Sequence, residues 1–178
     1  KNMIISLTGY MGCGKSHIAK ILSHRLNFKC IDLDEEIALR QGKAIAEIFA
    51  GKGEIAFRKI EKETLGLLLQ SEENMILSLG GGTPVYHHNI DLINQKSESF
   101  YLRASVATLT ERLTPEKSHR PLIARIADDD LPEFISKHLF ERAPYYAQCR
   151  HHLITDGKTP EAITDEIIRL LPDVHHPY

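Results

Sequence analysis

Short apolar runs of β type alternate along the chain with longer stretches in which apolar residues recur every three or four positions. Residues 3–7, Met-Ile-Ile-Ser-Leu, predict a buried strand ended by Gly9. From Lys15 onward, Ile18, Ile21, Leu22 and Leu26 share one face of an amphipathic helix. A second short strand is predicted over 29–32, helices over 35–40 and 44–49, and a longer helix over 54–70. The third strand, 75–79, is stopped by Gly80-Gly81-Gly82. A helix over 89–95, a strand over 99–102 and a helix over 106–113 follow. Residues 114–130 are polar, with prolines at 115 and 121, and read as a mobile excursion. A helix over 132–146, a strand over 151–154 and a helix from Pro160 carrying Ile163, Ile167, Ile168 and Leu171 close the pattern.

Five strands separated by helices imply an α/β fold, a parallel sheet with helices on both faces. No repeat, low-complexity tract or linker interrupts it, so one domain over residues 1–178 is expected. Ligands of such sheets sit beyond the carboxyl ends of the strands, so the informative residues should follow strands. Composition narrows the classes further. A net charge of −2 supplies no global field for nucleic acid or an anionic membrane, so a polyanion must be bound by a local cluster. Three scattered cysteines suit a reducing compartment better than a disulfide framework. No apolar stretch approaches the roughly 20 residues of a membrane span, and no signal-peptide pattern is present. A cytoplasmic monomer is expected.

Gly9-Tyr10-Met11-Gly12-Cys13-Gly14-Lys15-Ser16 fits G-x-x-x-x-G-K-[ST] between a predicted strand and a predicted helix. Its glycines let backbone N–H groups turn inward around an anion, at the positive end of the helix. Lys15 is placed to reach the β- and γ-phosphates of a nucleotide, and Ser16 to ligate Mg²⁺. Cys13 reads as a small loop residue and His17 as a first-turn residue whose backbone faces phosphate. A switch GTPase would carry Asn-Lys-x-Asp and Asp-x-x-Gly, and neither string occurs.

Asp32 and Asp34 end the second strand two residues apart. One can hold a metal-bound water near Ser16 and the other can reach a substrate hydroxyl. Equally, Asp34, followed by Glu35 and Glu36, can simply cap a helix. Arg58 and Glu61 are spaced to meet on one helix, so that Glu61 fixes a guanidinium suited to a bidentate grip on a carboxylate. A surface ion pair of small consequence fits that spacing too.

These segments resemble the shikimate kinase family. The likeness runs through the Gly-x-x-Gly-x-Gly-Lys-Ser loop, Asp-x-Asp, Ile-Phe-x-x-x-Gly-Glu-x-x-Phe-Arg-x-x-Glu and Leu-Ser-Leu-Gly-Gly-Gly, then Arg-Pro-Leu-Ile from Arg120 and Glu-Arg-Ala-Pro-Tyr-Tyr from Glu141. The resemblance implies a three-layer P-loop kinase fold with a mobile lid over about 113–128 and a substrate-binding helical region over about 33–61. It implies that MgATP and shikimate are the substrates and shikimate 3-phosphate and ADP the products, in aromatic amino acid (chorismate) biosynthesis. Lys15, Asp34 and Arg120 would be catalytic. ATP would be held by Gly12, Cys13, Gly14, Lys15, Ser16 and His17, with Arg112, Arg120 and Lys158. Shikimate would meet Asp34, Arg58, Glu61, Arg142 and the backbone of Gly80, Gly81 and Gly82, between walls of Phe49, Phe57 and Pro121. Mg²⁺ would be bound by Ser16 and, through water, Asp32. His17 and the Ser118-His119 pair depart from the family's usual residues.

The rival enzyme reading is another small-molecule kinase of this architecture, such as a gluconate kinase. A nucleotide acceptor would want base-reading groups, whereas two arginines suit an acid. The rival from another class is a non-catalytic nucleotide-binding regulator, against which Lys15, Ser16, Asp34 and Arg120 argue. The adjacent histidines His87-His88, His151-His152 and His175-His176 read as surface residues, because neighbouring side chains diverge on a strand or a helix.

Overall fold

A strand with apolar residues on both faces is stable only where both faces are covered, and β1 (Ile4–Thr8) is buried along its whole length. The computed structural model describes residues 2–172. In it β1 pairs with β3 (Met75–Ser78) on one side and β4 (Glu98–Arg103) on the other. β2 (Lys29–Asp32) and β5 (His151–Ile154) form the edges, giving an all-parallel sheet in the order β2-β3-β1-β4-β5. The order reverses at β1, so the crevice beyond its carboxyl end is where this topology opens a binding site.

The helices are α1 (Lys15–Leu26), α2 (Leu33–Gln41), α3 (Ile45–Leu69), α4 (Asn89–Lys96), α5 (Val106–Leu113), α6 (Leu131–Tyr146) and α7 (Pro160–Leu170). Alternation along β1 sends Ile5 and Leu7 into one apolar cluster, with Ile18 and Leu22 of α1 and Ile163 and Ile167 of α7. Ile4 enters a second cluster with Leu33 and Ile37 of α2 and Phe57 and Leu65 of α3. Thr159 and Ser105 cap α7 and α5 through their hydroxyls, which accept the amides of Ala162 and Thr108.

The expected elements are present, with informative shifts. The helices expected over 44–49 and 54–70 run together as α3, pivoting at Gly53 (φ 83°, ψ 173°). β4 is longer than expected, and α2 begins at Leu33 rather than residue 35. Asp32 is the reason for that early start, since its side chain accepts the Glu35 amide at 3.0 Å. The residue that caps this helix is therefore Asp32, and Asp34 lies inside its first turn. The 114–130 segment carries two 3-10 turns, Lys117–His119 and Asp128–Asp130, around Ile123, which is fully buried in the first cluster.

The histidines correct the sequence reading in part. His87 and His88 are exposed with φ of 52° and 56°. His151 is half-buried, stacked on Phe100 at 4.5 Å and bonded to Glu98 at 3.2 Å, because the edge strand turns it inward. His152 is exposed, and its ring contacts the Cys149 carbonyl. His175 and His176 lie outside the described residues. All three cysteines are free, and no helix among the described residues is long and apolar enough to cross a membrane.

Candidate active site

The loop after β1 is shaped by Gly12 and Gly14, whose φ values of 81° and 95° favour residues without a β-carbon. Gly14 is the N-cap of α1 and offers no side-chain acceptor, so the first-turn amides of that helix remain free for an anion. No acidic residue stands in that turn. The Lys15 ammonium donates to the carbonyls of Gly9 (2.5 Å) and Tyr10 (3.3 Å), which fold it back across its own loop.

The loop forms one wall of a cleft of about 630 Å³. Ser16, His17, Asp32, Asp34, Gly80 and Gly81 line it, as do Arg112, Arg120 and Lys158. The cations there have protein partners. Arg112 donates to the Gly12 carbonyl at 3.3 Å, Arg120 pairs with Glu116 at 3.0 Å, and Lys158 pairs with Glu166 at 2.9 Å.

The opposite end is built around the glycine triplet, whose backbone the family resemblance sets against the acceptor. Here it also lets charged side chains approach the backbone. A β-carbon on Gly82 would sit 2.6 Å from both terminal nitrogens of Arg58, and one on Gly81 would sit 2.9 Å from Arg142 Nη1. One on Gly80 would lie 3.2 Å from Asp34 Oδ1. Side chains from α2, α3 and α6 thus converge on three consecutive residues after β3. The Arg58–Glu61 pair is not a surface ion pair. Arg58 Nη1 donates to Glu61 at 3.1 Å, and Glu61 is 1% exposed. Thr83 donates its hydroxyl to the other oxygen of Glu61 at 3.0 Å, fixing the carboxylate from the glycine side.

Burial, then the negative charges of Asp32 and Glu61, push the Asp34 carboxyl up to about 6, against smaller opposing effects of Lys15 and Arg58. A carboxylate in this setting is more basic than an exposed one and suits proton acceptance near neutral pH. Because the strand stops at Asp32, the two aspartates do not share a strand. Asp32 serves the turn, and Asp34 is carried by the helix towards Gly80.

Phe49 and Phe57 pack together with ring centroids 4.5 Å apart, while Pro121 is exposed directly after Arg120; none of the three is among the residues lining the cleft. Four residues about the site escaped the sequence reading. Tyr146 donates its hydroxyl to the Gly81 carbonyl, and Tyr10 meets His138 Nδ1 at 2.9 Å. Burial pushes Tyr10 up to about 12, and burial followed by the nearby Arg142 charge lowers His138. The fourth is Tyr86, over whose ring Arg58 lies at 4.1 Å. The tyrosine pair ending Glu-Arg-Ala-Pro-Tyr-Tyr was a visible signal for Tyr146; the others have none, because their partners are distant in sequence.

Fold and loop together define the class, a P-loop kinase of the α/β type. The shikimate kinase family profile matches residues 11–172. The chain is 46% identical to the shikimate kinase of Flavobacterium psychrophilum, over 94% of this chain and 98% of that one. The shikimate kinase of Bacteroides thetaiotaomicron superposes with a TM-score of 0.88 at 33% identity, over 94% of this chain and 97% of that one. The Acinetobacter baumannii enzyme, solved in complex with shikimate, gives 0.85 at 26% identity, over 96% and 93%. The chain belongs to the shikimate kinase family, whose members are ATP-dependent phosphotransferases.

Proposed function

We propose that this chain transfers the γ-phosphate of MgATP to the 3-hydroxyl of shikimate, giving shikimate 3-phosphate and ADP. The observation that carries the acceptor assignment is the convergence of Arg58 and Arg142 on Gly82 and Gly81, beside Asp34 at Gly80. Two guanidinium groups suit one carboxylate, and a basic aspartate beside them suits a ring hydroxyl.

In this reading the nucleotide phosphates lie along the loop amides of residues 12–17, with Lys15 turned to them from the Gly9 and Tyr10 carbonyls. Arg120 leaves Glu116 to offset charge on the transferring group, and the 113–128 segment closes as a lid that excludes water. Arg112 and Lys158 flank the nucleotide. Arg58 and Arg142 hold the shikimate carboxylate, the triplet backbone bonds its ring oxygens, and Phe49, Phe57 and Pro121 wall the pocket. The 3-oxygen attacks the γ-phosphorus, the bond to the β–γ bridging oxygen breaks, and the hydroxyl proton passes to Asp34. Positioning and charge neutralisation supply most of the acceleration.

Ser16 and Asp32 both border the cleft, a hydroxyl and a carboxylate of the hard-oxygen kind that Mg²⁺ takes alongside phosphates and water. We assign the metal to Ser16 directly and to Asp32 through water; Mg²⁺ held there would supply positive charge that offsets the charge of the nucleotide phosphates. We also place the enzyme in the cytoplasm as a single-domain monomer with no nucleic-acid or membrane partner, a reading supported by its net charge of −2 and three free thiols.

A coupled ADP-release assay across shikimate, its carboxamide, gluconate and nucleoside monophosphates tests the assignment. Shikimate should turn over, the carboxamide poorly, and the others at background. Faster turnover of gluconate or a nucleotide would overturn it.

A further inference from the structure

We infer that Tyr86 is a positioning residue for Arg58, holding the guanidinium flat with its ring and restraining the Glu54 carboxylate with its hydroxyl. The inference rests on Arg58 gripping the acceptor's carboxylate and adds what keeps that grip available.

Arg58 has five N–H donors, and Nη1 is committed to Glu61 at 3.1 Å. Nε is buried and has no hydrogen-bond partner among the described residues. A buried donor left unpaired is costly, which marks the Nε and Nη2 edge as the side a ligand carboxylate would satisfy. One acid already stands near that edge. Glu54, one helical turn earlier on α3 and half-exposed, places Oε1 3.7 Å from Nε, beyond a hydrogen bond but close enough to compete.

Tyr86 donates its hydroxyl to that same Glu54 oxygen at 3.1 Å. Burial and this bond raise the phenol further above neutrality, so it stays a donor. Its ring meanwhile lies 4.1 Å from the guanidinium carbon, while the missing β-carbon of Gly82, which would sit 2.6 Å from both terminal nitrogens, leaves the guanidinium room beside that residue. The arginine is thus held flat, with its remaining edge facing an acid that is tied back. Loss of the hydroxyl frees Glu54 to close on Nε and compete with substrate. Loss of the ring also frees the guanidinium to tilt.

The test is steady-state kinetics on Tyr86→Phe, Tyr86→Leu and the double variant Tyr86→Phe with Glu54→Gln. Tyr86→Phe should raise the shikimate KM roughly threefold to tenfold, the size of one lost hydrogen bond. Tyr86→Leu should raise it further, and kcat and the ATP KM should stay within about twofold of the parent in both, since the ring and hydroxyl act on ground-state binding. Glu54→Gln in the Phe background should restore the parent KM, because a neutral amide competes poorly for a guanidinium. A parent-like KM in Tyr86→Leu overturns the assignment, as does a matching rise in the ATP KM. A Tyr86→Phe defect that Glu54→Gln leaves in place overturns the restraint of Glu54. If the carboxamide binds the parent as tightly as shikimate, the arginine grip itself is wrong, whatever the Tyr86 variants do.

Discussion

The two walls of the cleft are made in opposite ways. The phosphate loop is eight consecutive residues, Gly9 to Ser16, presenting mostly backbone, with positive φ at Gly12 and Gly14 fixing its shape. The acceptor end takes side chains from α2, α3 and α6, buries the Arg58–Glu61 pair among them, and ties that pair to Thr83 and Tyr86 beside three glycines. A backbone site needs only the right local turn. A site of buried charges needs each charge compensated by another segment, because an unpaired one costs several kcal/mol by general estimate. The loop should therefore answer chiefly to its lysine, to Ser16 and to the glycines that set its backbone, while the acceptor end should answer to its whole network.

The sharpest break of that contrast is Lys15→Met. It should eliminate ADP release while the melting temperature falls only by what its two carbonyl contacts contribute, about 1 kcal/mol each. Shikimate binding, followed by calorimetry, should persist, since the lysine belongs to the other wall. Turnover comparable to the parent would refute the nucleotide assignment.

Next in size is Arg120→Ala. Among the described residues its side chain pairs with Glu116, one turn away, so its loss should leave stability almost unchanged. kcat should fall by roughly 10³–10⁵ with the shikimate KM nearly constant. A rise in KM with kcat preserved would move Arg120 from the transferring phosphate to ground-state binding.

Asp34→Asn should lower kcat by at least about 10², the lower range for a general base. With Asp34 pushed up to about 6, the parent's kcat/KM should fall as pH drops through about 6, and the variant's residual activity should lack that limb. The stability effect has the opposite sign. The native state holds this proton more tightly than the unfolded chain, so the contribution is full below the ordinary carboxylate range and is lost as pH rises to about 6. The variant should be flatter than the parent in urea melts across that window. Asp32→Asn keeps a good cap and should chiefly raise the Mg²⁺ requirement. Rescue of Asp34→Asn by excess Mg²⁺, with Asp32→Asn unrescued, would exchange the two roles.

The two walls also differ in how readable they were. The loop, the glycine triplet and the strand–helix alternation are local patterns, and the elements they predicted stand within a few residues of where they were expected. Asp32 and Asp34 were legible as a pair but not as individuals, because which one caps depends on where the strand stops. Arg58 and Glu61 were legible as neighbours on a helix, while their burial was not, since it is created by Gly82 and Thr83 about twenty residues later. Tyr86 and the Tyr10–His138 contact left no signal at all; their partners lie 28 to 128 residues away.

By itself the sequence determined the α/β architecture, the anion loop and its lysine, the family resemblance and the residue types available for chemistry. Those follow from hydrophobic period and backbone permissiveness, which act over a few positions. Only the tertiary structure decided that the Arg58–Glu61 pair is buried, that Asp34 leans on Gly80 with its carboxyl raised to about 6, and that Tyr86 stands between Arg58 and a competing carboxylate. Desolvation and charge compensation depend on what the rest of the chain packs against a residue, and one-dimensional spacing does not carry that information.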